Sequence, residues 1–374
     1  MSSDSLILTE NMGGLGVITF NRPQALNALS LAMVRELTVA LRAWAGDGAV
    51  MGVLLRGSAR APAEGKRSAP HFCAGGDIRF MHEAALCGDP AIDDFFTEEY
   101  ALDHFIHTYP KPMVAWMEGI TMGGGMGLAQ GCTLKVATES VRMAMPETRI
   151  GLFPDVAGGY FLSHCPGSVG EYLGIVGPHL NATDALALGL ADEYARADSL
   201  PALLDGLKAC PAVAAPVLVE RLMTHIEAHR LADLPAATVA AHLDRINQHF
   251  SQPSVAAIMA SLAQDPCDWA RETLGHMAAH SPLMMCVTLE QIRRARHMPL
   301  ADEFRMERNI VRQCFSLRKG AASETVEGVR ALVIDKDLQP RWSPPTVAEV
   351  TPAMVAAFFE PVWPAHAHPL RHLA

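Results

Sequence analysis

Residues 119–159, GITMGGGMGLAQGCTLKVATESVRMAMPETRIGLFPDVAGG, decide the fold that the rest of the chain completes. The glycines at 123–125 follow an apolar run at 113–117, which predicts a buried strand that turns into a helix starting near Met126. Such a turn leaves backbone N–H groups without partners at the positive end of the helix, and glycine lets an anion approach them. The turn predicts an oxyanion site; taken alone, a tight turn or close helix packing explains it as well.

A second glycine turn, HFCAGGD at 71–77, precedes a second apolar helical pattern that begins at Ile78. We predict that Asp77 caps this helix. The backbone N–H groups just before Asp77 can form the other half of an oxyanion site. Two such turns, each after an apolar run, favour that interpretation more than one does.

Two carboxylates follow prolines in the same region, Glu147 after Pro146 and Asp155 after Pro154. Carboxylates in apolar surroundings can act as acid, base or nucleophile. A surface ion pair with a nearby arginine, worth about 0–1 kcal/mol, is the alternative for Glu147. Capping the apolar helix that follows is the alternative for Asp155.

Glu99 interrupts an apolar row. On a helix, Phe95, Glu99, Leu102 and Ile106 share one face. A carboxylate on that face would be desolvated and its pKa raised, as at many functional sites. A solvated helix edge is the alternative.

These motifs resemble the crotonase (enoyl-CoA hydratase/isomerase) superfamily, in the expected order. The resemblance rests on NRP with ALNAL at 21–29, FCAGGDI, GITMGGGMGL and the later ATDALALGLAD at 182–192. Within the superfamily, AMPETRIGLFPDVAGGYFL, FFTEEYALD and the C-terminal EGVRA…IDKD are most similar to the 3-hydroxyisobutyryl-CoA hydrolases. The resemblance covers residues 5–345, nearly the whole chain.

The resemblance implies roles for individual residues. The two oxyanion N–H groups of crotonases fall on the residues that match Ala74 and Gly124. The hydrolase branch adds carboxylates that match Glu99, Glu147 and Asp155. The implied catalytic residues are therefore Glu147, Asp155, Gly124 and Ala74, and the implied substrate-binding residues are Glu99, Gly124, Glu147 and Asp155.

Two positions separate this chain from other branches. Hydratases of the superfamily use two glutamates, one matching Glu147 and one matching Gly127, and Gly127 has no side chain. The resemblance therefore favours hydrolysis over addition of water to a double bond. The hydrolases usually carry Asp-Phe where this chain has Glu324-Thr325.

Composition is that of a compact enzyme. The chain has 374 residues, half of them hydrophobic, and a formal net charge of −10, so we expect a large core and no nucleic-acid partner. Met1-Ser2-Ser3-Asp4 does not look like a signal or transit peptide, and no uncharged apolar run spans a membrane, so a cytoplasmic location is expected.

We predict neither a cofactor nor a metal. No dinucleotide-binding glycine fingerprint follows a strand, and the eight cysteines have no metal-ligand spacing. The basic pair Lys66-Arg67 can meet the phosphates of coenzyme A, or it can simply be a solvated loop.

The pattern along the chain predicts an α/β fold, a crotonase-like spiral of βαβ units with a helical C-terminal region. Residues 5–20 predict a hairpin, and apolar runs at 51–55, 113–117 and 133–138 predict strands that alternate with helices. Helical patterns dominate after residue 200. We therefore expect a core with the active site at 1–200 and a mainly helical extension at 201–374.

Three functions follow from these observations. The first is hydrolysis of a short 3-hydroxyacyl-CoA thioester, as in valine breakdown. The second is another crotonase reaction, hydratase or isomerase, on an acyl-CoA. The third is a non-catalytic binding protein on the same scaffold. An acyl-CoA is the expected small-molecule partner, no membrane partner is expected, and a homo-oligomer would be usual for the superfamily.

Overall fold

The computed structural model describes residues 5–60, 68–230 and 233–374 of the chain. Lys66-Arg67 lies outside the described residues. The strands are β1 (Ile7–Met12), β2 (Leu15–Phe20), β3 (Gly52–Gly57), β4 (Met113–Met117), β5 (Ile120–Met122), β6 (Leu134–Ala137), β7 (Arg142–Ala144) and β8 (Glu193–Tyr194). The helices are α1 (Leu31–Gly46), α2 (Ile78–Cys87), α3 (Ala91–His107), α4 (Gly124–Gln130), α5 (Gly158–Ser163), α6 (Val169–Val176), α7 (Ala182–Ala187), α8 (Leu200–Lys208), α9 (Ala215–Ala228), α10 (Leu243–Phe250), α11 (Val255–Gln264), α12 (Asp268–Ala278), α13 (Pro282–Ala295), α14 (Leu300–Ser316), α15 (Glu324–Val329) and α16 (Pro352–Phe359).

The chain forms two compact units, each discontinuous in sequence. The first unit comprises residues 1–76, 102–143 and 179–241, and the second comprises 77–101, 144–178 and 242–374. The division that the sequence predicts at residue 200 does not coincide with these units. Residues 201–241 belong to the first unit, whereas 77–101 and 144–178 belong to the second.

The first unit contains a six-stranded sheet in the order β1-β2-β3-β4-β6-β8. The hairpin β1–β2 is antiparallel and every other pair in this sheet is parallel, which confirms the predicted hairpin and the α/β fold. All six residues of β2 are buried, as expected for a strand covered on both faces. Leucines of α8 and α9 pack on one of those faces, against Val17, Leu54 and Trp116.

Side chains cap the starts of two helices in the α/β region. Ser30 caps α1 by accepting from Met33 N, and Asp77 caps α2 by accepting from Phe80 N at 3.2 Å, which confirms the cap predicted at Asp77. Beyond β8, every element within the described residues is a helix or a helical turn, which confirms a helical C-terminal region. Among the described residues, no helix has both the length and the apolar character needed to cross a bilayer.

The second unit is built on close helix packing around α13. A Cβ added at Gly174 of α6 would lie 2.8 Å from Ile292 of α13. A Cβ at Gly170 would lie 2.0 Å from the Leu162 carbonyl oxygen of α5. Since such distances are impossible for real side chains, glycine is what lets α5, α6 and α13 approach one another.

Candidate active site

The two predicted glycine turns lie side by side in the first unit. Cys73 N donates to the Ile120 carbonyl at 3.0 Å, and Cys73 O accepts from Met122 N at 3.0 Å. The segment that leads into the first turn is therefore hydrogen-bonded to β5, which leads into the second. Gly75 has a φ of +98°, and a Cβ there would lie 3.5 Å from Gly124 N. The sequence predicted both turns, and the structure brings their backbones together.

Gly124 presents a free donor at the start of α4. The turn before it is made by Gly123, with φ 50° and ψ −124°, a conformation that only glycine adopts readily. Within residues 5–60, 68–230 and 233–374, the Gly124 N–H has no hydrogen-bond acceptor. Because α4 has only seven residues, the value of this position lies in the N–H itself rather than in a long helix dipole.

The N–H of Ala74, which the resemblance implies as the second donor, already has an acceptor. Ala74 N already donates to the Leu26 carbonyl at 3.1 Å, so its N–H is committed to the fold. Two residues later, Gly76 pairs with Leu29 through a parallel bridge that uses the Gly75 carbonyl. In the described part of the chain, no acceptor is found for Gly76 N. We therefore expect Gly76 N, rather than Ala74 N, to be the second donor.

Glu147 is a buried carboxylate in the second unit. It begins a 3-10 turn, Glu147–Ile150, and is 5% exposed. Its Oε2 has no hydrogen-bond partner among the described residues, and no ion pair involving it is found there. The surface ion-pair alternative is therefore wrong. Burial, and then the charge of Asp155, raise the pKa of Glu147 well above the usual range.

Asp155 is held by a buried tyrosine. Tyr100 OH donates to Asp155 Oδ2 at 2.8 Å. Burial raises the pKa of Asp155 to about 6, although the Tyr100 bond opposes the shift. The helix after Asp155 begins at Gly158, and its N-cap is Ala157. The helix-capping alternative for Asp155 is therefore wrong.

Glu99 precedes Tyr100 on α3 and is 2% exposed. Phe95, Leu102 and Ile106, which share its predicted helical row, are buried as well. The solvated-edge alternative is therefore wrong.

Burial, with the charges of Asp155, Glu307 and Glu99, raises the pKa of Tyr100, so its phenol stays protonated and donates to Asp155.

Three buried polar residues near Asp155 were missed at the level of sequence: Gln291, Glu303 and Glu307, all fully buried. Glu307 accepts hydrogen bonds from the backbone N–H groups of Ala157 and Gly159. The signal that identified Glu99 was present here too. Glu303 and Glu307 fall on the same helical face of α14 as the buried Ile310 and Val311.

Glu324 and Thr325, which stand where the hydrolases usually carry Asp-Phe, both form hydrogen bonds. Ser343 N donates to Glu324 Oε1 at 2.8 Å, and Thr325 Oγ1 donates to the Gly151 carbonyl at 2.7 Å. Gly151 has a φ of +70°, and a Cβ there would lie 2.2 Å from the Glu324 carbonyl oxygen. These contacts support the 3-10 turn that carries Glu147.

The geometry offers two kinds of chemistry. The first unit presents two backbone N–H groups, at Gly76 and Gly124, that can stabilise a developing oxyanion. The second unit presents Glu147, whose unpaired oxygen can act as a nucleophile or as a base on water.

The sequence matches the family model for enoyl-CoA hydratase/isomerase over residues 15–359. It is 37% identical over 356 residues to the mitochondrial 3-hydroxyisobutyryl-CoA hydrolase of Gallus gallus, covering 95% of this chain and 89% of the relative. It is 36% identical over 345 residues to the mitochondrial enzyme of the same name from Homo sapiens, covering 92% and 86%.

Solved structures of similar shape carry other activity names. A carnitinyl-CoA dehydratase from Mycobacterium thermoresistibile superposes with a TM-score of 0.83 at 35% identity, covering 96% of this chain and 98% of its own. An enoyl-CoA hydratase from Rhodobacter sphaeroides 2.4.1 superposes with a TM-score of 0.81 at 33% identity and the same coverage. The predicted crotonase fold is confirmed.

Proposed function

The chain belongs to the enoyl-CoA hydratase/isomerase family, and from that premise we propose that it hydrolyses 3-hydroxyisobutyryl-CoA to 3-hydroxyisobutyrate and coenzyme A. The coarser activity, hydrolysis of an acyl-CoA thioester, rests on curated relatives that match 95% of the chain. The resemblance links this substrate to valine breakdown.

The observation that carries the proposal is the state of Glu147. It is a buried carboxylate with one unpaired oxygen, in a chain whose residue 127 is a buried glycine. One carboxylate with a free oxygen suits attack on a thioester. Addition of water to a double bond in this family uses a second glutamate at the position of Gly127.

The proposed reaction begins at the thioester carbonyl. The N–H groups of Gly76 and Gly124 stabilise its oxygen as negative charge develops. Glu147 attacks the carbonyl carbon, the carbon–sulfur bond breaks, and coenzyme A leaves as a thiolate that takes a proton from solvent. Water then hydrolyses the mixed anhydride. In the second route, Glu147 takes a proton from a water molecule that attacks the carbonyl carbon directly.

Asp155 and Glu99 recognise the substrate in this proposal. A hydrogen bond from the 3-hydroxyl group to either carboxylate would favour hydroxyacyl over plain acyl substrates. A site built around a hydroxyl group discriminates strongly against its absence, since buried polar groups are then left unpaired.

A hydratase or isomerase of the same family is the second candidate function, because the structural neighbours carry the names of such enzymes. A non-catalytic binding protein is the third. The cytoplasmic location, the absence of a cofactor and the homo-oligomer stay predictions, and the curated relatives are named mitochondrial.

The test is thiol release over a panel of acyl-CoA thioesters, with absorbance of the enoyl band followed in parallel. We expect thiol release from 3-hydroxyisobutyryl-CoA and no change in the enoyl band with crotonyl-CoA. Glu147→Gln should abolish thiol release, whereas Glu83→Gln, an exposed carboxylate on α2, should leave it unchanged. Normal hydrolysis by Glu147→Gln would contradict the role of Glu147.

Single turnover in heavy-oxygen water separates the two routes. Light oxygen from the enzyme enters the product acid if Glu147 is the nucleophile and water attacks the Glu147 carbon of the anhydride. Heavy oxygen enters it in the first turnover if water attacks directly.

A further inference from the structure

The turn after Asp155 holds two consecutive residues in a conformation that their side chains disfavour. Val156 has a φ of 58° and Ala157 has a φ of 66°. The left-handed region is uncommon for any residue with a Cβ, and for a β-branched valine it is a genuine outlier. Such a conformation persists only where the surrounding structure holds it in place. Something outside the turn must therefore fix it.

Glu307 of α14 supplies that hold. Its Oε2 accepts from Ala157 N at 2.9 Å, and its Oε1 accepts from Gly159 N at 3.2 Å. These N–H groups belong to the N-cap and first turn of α5, where no partner exists within the helix. One carboxyl group thus satisfies two backbone donors, from a position 150 residues along the chain.

Gln291 of α13 links the start of the turn, at Pro154, to the Glu307 carboxyl group. Its Nε2 donates to the Pro154 carbonyl at 2.7 Å and to Glu307 Oε1 at 2.9 Å. Asp155 therefore lies between two residues, Pro154 and Ala157, that are both fastened to this pair. Both side chains are fully buried, so no solvent competes for these bonds.

We propose that Glu307 is a positioning residue, which fixes the left-handed residues Val156 and Ala157 and so directs the Asp155 carboxylate at the 3-hydroxyl group of the substrate. The inference rests on the proposed function, because it needs a substrate hydroxyl group that Asp155 recognises. Glu307 touches no reacting atom in this account, and it acts only through the turn.

Glutamine is an informative replacement at this position. Burial, and then the charge of Glu303, raise the pKa of Glu307 well above its usual range. Glutamine resembles in shape and charge the uncharged form of the carboxyl group, which burial favours. It replaces one acceptor by an NH₂ group, which cannot accept from Ala157 N or Gly159 N. A loss in this variant therefore reports the hydrogen bonds.

The experiment compares thiol release from 3-hydroxyisobutyryl-CoA and from isobutyryl-CoA, which lacks the hydroxyl group. In Glu307→Gln we expect the ratio of the two kcat/KM values to fall at least about tenfold, with isobutyryl-CoA affected no more than about threefold. In a double-mutant cycle, Glu307→Gln should lower the ratio no further once Asp155→Asn is present. Equal losses on both substrates, an unchanged ratio or additive effects would each overturn the proposal.

Glu171→Gln is the control for loss of a buried carboxylate outside the turn. Glu171 of α6 is 2% exposed, and its Oε1 accepts from Arg296 Nη2 at 2.8 Å. We expect this variant to keep the substrate ratio. The same loss of ratio in Glu171→Gln would overturn the assignment to the two N–H bonds.

Gln291→Met keeps the test open if Glu307→Gln does not fold. Methionine has a similar volume and removes the donor that joins Pro154 to Glu307. We expect a smaller fall in the substrate ratio, and an unchanged ratio would overturn the proposal.

A crystal structure of Glu307→Gln separates this proposal from the proposed function. If the wild-type protein hydrolyses no acyl-CoA, the proposed function is wrong. The backbone conformation of the turn in the variant still tests whether Glu307 fixes it. Val156 and Ala157 should leave the left-handed region in the variant, and an unchanged turn would overturn the role of Glu307.

Discussion

The glycine turns of the first unit present backbone donors, whereas the turn at residues 154–157 of the second unit presents a carboxylate. Gly76 and Gly124 present backbone N–H groups, and the two hydrogen bonds between Cys73 and β5 fix the backbones that lead to them. Asp155 and Glu147 present side chains whose burial disfavours their charged forms. A donor made from the backbone needs little beyond a sheet and the absence of a Cβ. The carboxylate of Asp155 depends on other helices, since Tyr100 donates to it and Glu307 accepts from the backbone of its turn.

Deleting a backbone donor should give the largest effect. Proline at Gly124 or Gly76 removes the N–H, and proline is accepted at the first residue of a helix such as Gly124. We expect kcat to fall about 10²–10³-fold in each folded variant, as for loss of one oxyanion donor. Steady-state thiol release, with circular dichroism to confirm folding, measures this.

Ala74→Pro is the comparison that sharpens the assignment in the first turn. Because Ala74 N is bonded to the Leu26 carbonyl, its loss should lower the melting temperature and leave kcat of the folded fraction within about tenfold. The reverse order, with Ala74→Pro inactive and Gly76→Pro active, would restore Ala74 as the donor.

Removing one buried charge from α3 should have a smaller effect. Glu99→Gln keeps the shape of the side chain, and we expect kcat/KM for 3-hydroxyisobutyryl-CoA to fall roughly tenfold, about 1.4 kcal/mol of transition-state stabilisation. Glu98→Gln, the neighbouring carboxylate on the same helix, is the control and should change little. Equal kinetics for the two variants would remove Glu99 from the site.

The pH profile should move when the charge of Asp155 is removed. Asp155 raises the pKa of Glu147, because a nearby negative charge favours the protonated acid. Asp155→Asn should therefore lower that pKa and shift the acidic limb of kcat with isobutyryl-CoA to lower pH. A limb that stays in place, or that moves to higher pH, would show that the two carboxylates do not interact.

The smallest effect is expected from relaxing the turn itself. Glycine adopts a φ of 66° without the steric cost that Ala157 bears, so Ala157→Gly should be neutral or raise the free energy of unfolding by up to about 1 kcal/mol. Ala260→Gly, at an exposed position inside α11, should lower it by about 1 kcal/mol. Urea denaturation of both variants measures the difference, and destabilisation of equal size would show that the turn is unstrained.

Local sequence was enough for features that depend on local pattern. The hairpin β1–β2, the cap Asp77 and the burial of Glu99 each follow from spacing or from a single residue type. The sequence could not show which backbone N–H of Ala74-Gly75-Gly76 already has an acceptor. Ala74 N donates to the carbonyl of Leu26, 48 positions earlier by their residue numbers.

The hydrogen bonds between Glu307 and the turn at residues 154–157 could not be predicted for the same reason, since their partners lie far apart in the sequence. Nothing near Ala157 indicates that its N–H will meet a carboxyl group from α14. The burial of Glu307 was readable from its helical row, but its partner was not. The catalytic assignments of Glu147, Asp155 and Gly124 stay predictions until the kinetic experiments are done.

The distance along the chain between Ala157 and Glu307 has a consequence for biosynthesis. A ribosome adds roughly 5–20 residues per second, so the 150 residues that separate the two take roughly 8–30 s to make. Both glycine turns and the strands that carry them have left the peptidyl-transferase centre before that interval begins. The segments that carry the backbone donors are therefore translated first, and the turn of Asp155 can acquire its bonds to Glu307 only after α14 has been translated.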